Sequence, residues 1–224
     1  MELNSGQYGE VLLSRHMQRK LSLIREHDDK MKVLRQDSTV NKARELFKDE
    51  NGNDRFYLLD NRDGSLEEIQ DTVEELIVSC GCRIIVLDPL QDVLDGLSID
   101  EQAVFMKWAK GIIKSHNVLL IFINHMRKTD GGAHDINEED IQGSSTIIKS
   151  SSMNIFMTRD KTADDPVERN TTKVKIPKNR VCGITGPADE LYYDNETHTL
   201  YNKEDYFRGR TWFIWCTNRR RSGR

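Results

Sequence analysis

The stretch RIIVLDPL, residues 83–90, decides how this chain is read. Four apolar residues, Ile84 to Leu87, run into an acid, Asp88, and the run is bounded by Arg83 and Pro89. An unbroken apolar run of that length suits a strand buried on both faces of a parallel sheet. Open parallel sheets bind ligands outside the carboxyl ends of their strands, which is where Asp88 falls. In a nucleotide hydrolase, an acid at this place holds Mg²⁺. The matching question is which segment would hold the phosphates.

Working outward, helix and strand patterns alternate, which predicts an α/β fold with a mostly parallel central sheet flanked by helices. Upstream, residues 7–27 space Val11, Leu12, Met17, Leu21 and Ile24 as one helix, and residues 38–49 read as a second, short one. FYLLD (56–60) reads as a short strand. Ser65 and Glu68 form a capping box that opens a helix running to about Ser79. Downstream, Ser98 and Glu101 repeat the box. The helix that follows, to about Ser115, stacks Val104, Trp108 and Ile112, with Phe105 and Ala109 beside them. VLLIFIN (118–124) is a second buried strand and MNIFMTR (153–159) a third, with a Gly- and acid-rich loop at 129–141 between them. TKVKIPK (172–178) and ELYYD (190–194) form the arms of a C-terminal antiparallel hairpin. Each strand-to-strand distance leaves room for a helical crossover, the layout of a RecA-like core.

The bulk numbers narrow the class. The chain has 224 residues, 37% hydrophobic and 31% charged, and no apolar run approaches the roughly 20 residues of a membrane span. The first ten residues have neither the basic flank nor the apolar core of a signal peptide. Of the four cysteines, Cys80 and Cys82 are too close for an ordinary bridge and no C-x-x-C pair exists, so the thiols read as free in a reducing cytoplasm. The net charge is −4, yet residues 206–224 hold six arginines and no acid, which leaves the body markedly acidic. A nucleic-acid contact must then come from a local patch and not from the overall field. Residues 204–224 read as a disordered basic and aromatic tail behind a single domain spanning 1–203.

A phosphate loop requires G-x-x-x-x-G-K-[S/T], with glycine amides turned toward the phosphates and the lysine on the β and γ oxygens. None of the fourteen glycines precedes a lysine. On this reading the loop facing Asp88 lies outside residues 1–224.

Five segments together resemble the helicase domain of the DnaB-like hexameric replicative helicases, and among them the phage primase-helicase type. They are MELNSG (1–6), RIIVLDPL (83–90), LLIFINHMRK (119–128), DIQGSSTIIKSSSMNIFMTRDK (140–161) and KIPKNRVCGITG (175–186), over roughly residues 1–203. The resemblance implies ATP or another NTP with Mg²⁺ as cofactors. It implies single-stranded DNA as partner, a homo-oligomeric ring of six subunits, and the cytoplasm as location. A primase domain, or a separate polypeptide bearing the phosphate loop, is a further implied partner.

Carried onto matching positions, the resemblance makes Glu2 the general base that polarises the attacking water. Asp88 becomes the metal acid and His125 the sensor of the γ-phosphate. Arg180 becomes an arginine finger, with Lys178 its companion, acting on a neighbouring subunit's site. The channel loop that grips DNA is assigned to Arg127, Lys128, Gly131 and Gly132. DVLDGLSID (92–100) is the other channel loop, without a basic residue. One departure stands out: where many relatives carry glutamine after the D-x-x-G-S segment, this chain has Lys149. On this reading the chain alone is inactive for lack of a Walker A segment. The rival reading is a non-catalytic RecA-like module that joins a helicase ring. A third, a recombination ATPase, shares the core but fits KNRVCGITG less well.

Overall fold

A computed structural model describes residues 4–59, 64–125 and 145–208. The chain divides into two compact units. The first comprises Leu59–Asn154 with Asn179–Cys182, and the second Glu2–Leu58, Ile155–Lys178 and Gly183–Arg224.

In chain order the elements are α1 (Ser5–His16), a 3₁₀ turn (Leu21–Leu23), α2 (His27–Leu34), α3 (Asp37–Phe47), α4 (Leu66–Ser79), β1 (Ile84–Leu87), α5 (Leu90–Leu94), α6 (Ile99–His116), β2 (Leu119–Phe122), α7 (Ser145–Ser150), β3 (Met153–Thr158), α8 (Pro166–Arg169), β4 (Thr171–Asn179), β5 (Gly186–Asp194) and β6 (Thr199–Asn202). The fold is α/β.

The first unit is built on a parallel pair, β1 beside β2, with Ile84 opposite Leu119 and Leu87 opposite Phe122. Parallel strands cannot be joined by a tight turn, and here the connection carries α5 and α6. Both longer helices start at the expected capping boxes. Ser65 Oγ accepts from the Glu68 amide at 3.2 Å while Glu68 Oε2 accepts from the Ser65 amide at 2.8 Å. At α6, Ser98 Oγ accepts from the Glu101 amide at 3.3 Å, and Glu101 Oε2 accepts from the Ser98 amide at 2.7 Å. The Ser98 hydroxyl also donates to Glu101 Oε2 at 2.7 Å, and this bond, then the one from the Ser98 amide, holds the Glu101 carboxyl below its usual range. Each box satisfies two amides that the first helical turn leaves without partners. Ser98→Ala is expected to cost about 1 kcal/mol, read as a lower urea midpoint with an unchanged slope.

Alternate residues of the pair face inward. Ile85 and Leu120 pack with Val73, Ile77, Ile112 and Val118, while Leu87 and Phe122 pack with Leu90, Leu94, Phe105, Met106 and Ile147. The other face is bare: Ile84, Val86, Leu119 and Ile121 are 63%, 51%, 54% and 37% exposed. The expectation of strands buried on both faces is therefore corrected, because α4 and α6 cover one side only. Along α6 the stripe is also rotated from the expected one. Phe105, Ala109 and Ile112 are buried, whereas Val104 is exposed.

Among the described residues the expected mostly parallel sheet is reduced to the β1–β2 pair. The third strand of the series, β3, belongs instead to a second, four-stranded sheet of order β3-β4-β5-β6. Within it β4–β5 and β5–β6 run antiparallel, with a bulge between Val174 and Lys175. The C-terminal hairpin is thus present, and β6 extends it.

In the second unit α1 is itself capped by a box the sequence reading missed: Asn4 Oδ1 accepts from the Gln7 amide at 2.9 Å and Gln7 Oε1 from the Asn4 amide at 3.0 Å. The single helix expected over 7–27 is broken. α1 ends at a Met17 cap, and Gln18 takes a left-handed φ of 54°. The chain then drops Leu21, fully buried, into the unit, and its amide donates to buried Ser14 Oγ at 3.1 Å. Burying Leu21 this way, with its amide satisfied, wins over the weaker preference for continuing the helix. FYLLD is also corrected: residues 56–59 form no strand, and Phe56 to Leu59 are 39–50% exposed. Only the isolated Lys48–Asp54 bridge pairs the chain just upstream, so these residues have no ladder partner among the described residues. At the other end residues 203–208 are helical, and Tyr206 and Phe207 pack their rings on Tyr192. The start of the expected disordered tail is therefore ordered, and residues 209–224 lie outside the described ones.

The β5–β6 turn is tied to the end of α1. Buried Asp194 accepts from the Glu196 amide at 3.0 Å and from Thr197 Oγ1 at 3.1 Å, while Arg15 Nε donates to the His198 carbonyl at 3.0 Å. Burial, then the positive charges of Lys20 and Arg15, push the His198 imidazole below its ordinary pKa. The fold therefore favours neutral histidine. The stability this contributes is present above the unfolded value of about 6.5 and is lost as pH falls through the lower folded value. Acidification below about pH 6.5 should lower the urea midpoint. His198→Asn, which tolerates the left-handed φ of 62° at this position, should flatten that dependence.

Candidate functional site

The carboxyl ends of β1 and β2 meet because the strands are parallel and in register. Past the strands the two loops stay joined. The Ile123 amide donates to the Leu87 carbonyl at 2.9 Å, and the Leu90 amide returns to the Ile123 carbonyl at 2.8 Å. Gln91 Nε2 adds a longer bond to the His125 carbonyl at 3.4 Å. Leu90, fully buried, pins the start of α5 beneath this edge. Asp88 and His125 are therefore held on neighbouring loops at one end of the parallel pair, with Asn124 between the β2 end and His125.

Asp88 and His125 are both exposed. Among the described residues, no hydrogen bond or ion pair engages the Asp88 carboxylate or the His125 ring. An exposed carboxylate at the end of a parallel strand is a group that can take a hydrated cation or a phosphate-bound one. No group of three or more His, Cys, Asp or Glu is placed to hold a metal among the described residues.

The hairpin places the two basic residues differently. Lys178 lies half-buried one residue before the end of β4. Arg180 is exposed just past the strand, and its amide donates to the Ser152 carbonyl at 2.8 Å. The residue between them shapes the turn. Buried Asn179 accepts from the amides of Val181 and Cys182 at 3.1 and 3.3 Å, and its Nδ2 donates to Cys182 Sγ at 2.9 Å. Gly183, with φ 75°, completes the reversal. The sequence reading passed over Asn179. An asparagine opening a Gly-containing turn was the available signal. Among the described residues no hydrogen bond or ion pair joins Arg180 to Asp88 or His125, and its guanidinium is unengaged.

Glu2, Arg127, Lys128, Gly131 and Gly132 lie outside the described residues. Of the other expected channel segment, residues 92–100, Leu94 is buried against Phe105 and the capping Ser98 serves α6. Lys149 sits on α7. None of the described helices is long and apolar enough to cross a membrane. No protein-family model and no curated protein matches the chain.

Proposed function

We infer that this chain is part of an ATP-dependent replicative DNA helicase with a RecA-like core, working as a ring on single-stranded DNA. The observation that supports the reading is the joined carboxyl edge of β1 and β2, whose two neighbouring loops carry Asp88 and His125. A Mg²⁺ ion, if held there, would supply positive charge against the β and γ phosphates. Asp88 anchors the ion's waters. His125, one loop away, hydrogen-bonds the γ-phosphate and relays its loss to the loop that follows β2. Arg180, unengaged and exposed on a turn held by Asn179, reaches a neighbouring subunit's nucleotide with Lys178 beside it in sequence. A planar guanidinium bridges two phosphoryl oxygens, so its contribution belongs to the transition state. Glu2 polarises the attacking water, and Arg127, Lys128, Gly131 and Gly132 grip the DNA backbone. The phosphates themselves are cradled by a glycine-rich loop outside residues 1–224, on a preceding segment or a second polypeptide.

The test is ATP hydrolysis with Mg²⁺ and single-stranded DNA, by the purified chain alone and with a polypeptide carrying a G-x-x-x-x-G-K-[S/T] loop. The expected result is background turnover alone and DNA-stimulated turnover together, lost in Arg180→Ala. Turnover by the chain alone that survives Asp88→Ala and Arg180→Ala would overturn the assignment.

A further inference from the structure

Independently of nucleotide chemistry, the turn between α4 and β1 carries two cysteines on one tight bend of the backbone. Cys80 caps α4 with φ −102° and ψ −6°, and Gly81 follows with a left-handed φ of 69°. The amides of Cys80 and Cys82 converge on one acceptor, the Leu76 carbonyl, at 3.2 and 3.1 Å. The chain is therefore coiled tightly at this point. Two residues along a bent chain span about 5 to 7 Å between Cα atoms, which overlaps the range a disulfide bridges. Gly81 has no other atom within 4 Å of where a Cβ would stand, so there is space around the turn. Both cysteines are free; Cys80 is exposed and Cys82 half-buried. Burial, with Cys80 close by, raises the Cys82 thiol, so exposed Cys80 meets an oxidant first.

We propose that Cys80-Gly81-Cys82 is a reversible redox modification site that closes into an intrachain disulfide on reaction with hydrogen peroxide. The Cys80 thiolate attacks one peroxide oxygen, the O–O bond breaks, and hydroxide leaves, giving a sulfenic acid. The Cys82 sulfur then attacks the Cys80 sulfur, the S–O bond breaks, and water leaves with the Cys82 proton. Two thiols lose two electrons in all, and one peroxide becomes two waters. The ring is small and strained, so a dithiol reductant reopens it readily.

The experiment treats the reduced full chain with hydrogen peroxide, alkylates it with iodoacetamide and weighs its tryptic peptides. The expected result is that the peptide holding Cys80 and Cys82 loses two hydrogens and takes no alkyl group. Dithiothreitol then restores two alkylation sites, while exposed Cys182 stays alkylated throughout. In Cys82→Ser, Cys80 should instead accumulate as a sulfenic acid that dimedone traps, which keeps the order of attack testable. Equal alkylation of Cys80 and Cys82 before and after peroxide, or a bridge from either to Cys182 or to a second chain, would overturn the proposal.

Discussion

Phe105→Ala is expected to remove about 3–5 kcal/mol of stability, a large share of the 5–15 kcal/mol that holds a typical domain. Phe105 is fully buried, with ring centroids 5.3 Å from Trp108 and 6.1 Å from Phe122. It also packs with Leu90, Leu94, Met106 and Ile147, so it joins α5, α6, α7 and the end of β2. Removing the ring forfeits its transfer free energy and leaves a cavity walled by elements that cannot all close in. Because Leu90 pins the loop after Asp88, loosening this cluster should also free the carboxyl edge of the parallel pair. The control is one residue away. Val104 is 64% exposed, and Val104→Ala should stay within about 0.5 kcal/mol. Urea unfolding followed by circular dichroism separates the two. Similar midpoint shifts for both variants would mean that the inward stripe of α6 has been misplaced by one residue.

That contrast marks what the sequence could specify. α4 and α6 were legible to within a residue or two because a capping box is a local device: serine and the glutamate three places on satisfy each other's amides wherever the helix lies. β1 and β2 were legible as strands for a similarly local reason, their dense run of branched and aromatic side chains. Which faces those strands bury is not local. Ile84 and Val86 are as apolar as Ile85 and Leu87, and only the placement of α4 and α6 decides which pair is covered. The same limit explains FYLLD, whose strand-like composition forms no strand over residues 56–59. It also explains Gln18, where a side chain of good helix propensity ends a helix because Leu21 gains more by burial. At the candidate site, Asp88 was singled out from its place at a strand end and His125 from the resemblance of the strand before it. Asn179, which accepts from two amides of the turn that carries Arg180, was passed over, although an asparagine shortly before a glycine is a signal for such a turn.

Asp88→Asn is expected to lower Mg²⁺-dependent ATP hydrolysis by about 100-fold or more once the phosphate loop is supplied, as for loss of a charge that acts mainly in the transition state. Among the described residues, no hydrogen bond or ion pair engages the Asp88 carboxylate. It does no structural work that asparagine would disrupt, so the urea midpoint should stay within about 0.5 kcal/mol of the parent. What asparagine lacks is the negative charge that holds the ion's waters while charge shifts across the β and γ oxygens. The loss should therefore fall on kcat, and raising Mg²⁺ should recover part of it, because a weakened cation site fills again by mass action. On the proposed function His125→Ala differs in kind: with its imidazole assigned as the γ-phosphate sensor, stimulation by single-stranded DNA should shrink more than basal turnover. A turnover loss in Asp88→Asn that only tracks lost stability, or no loss at all, would leave Asp88 as an ordinary acid closing a strand. The joined edge of β1 and β2 would then need a different ligand.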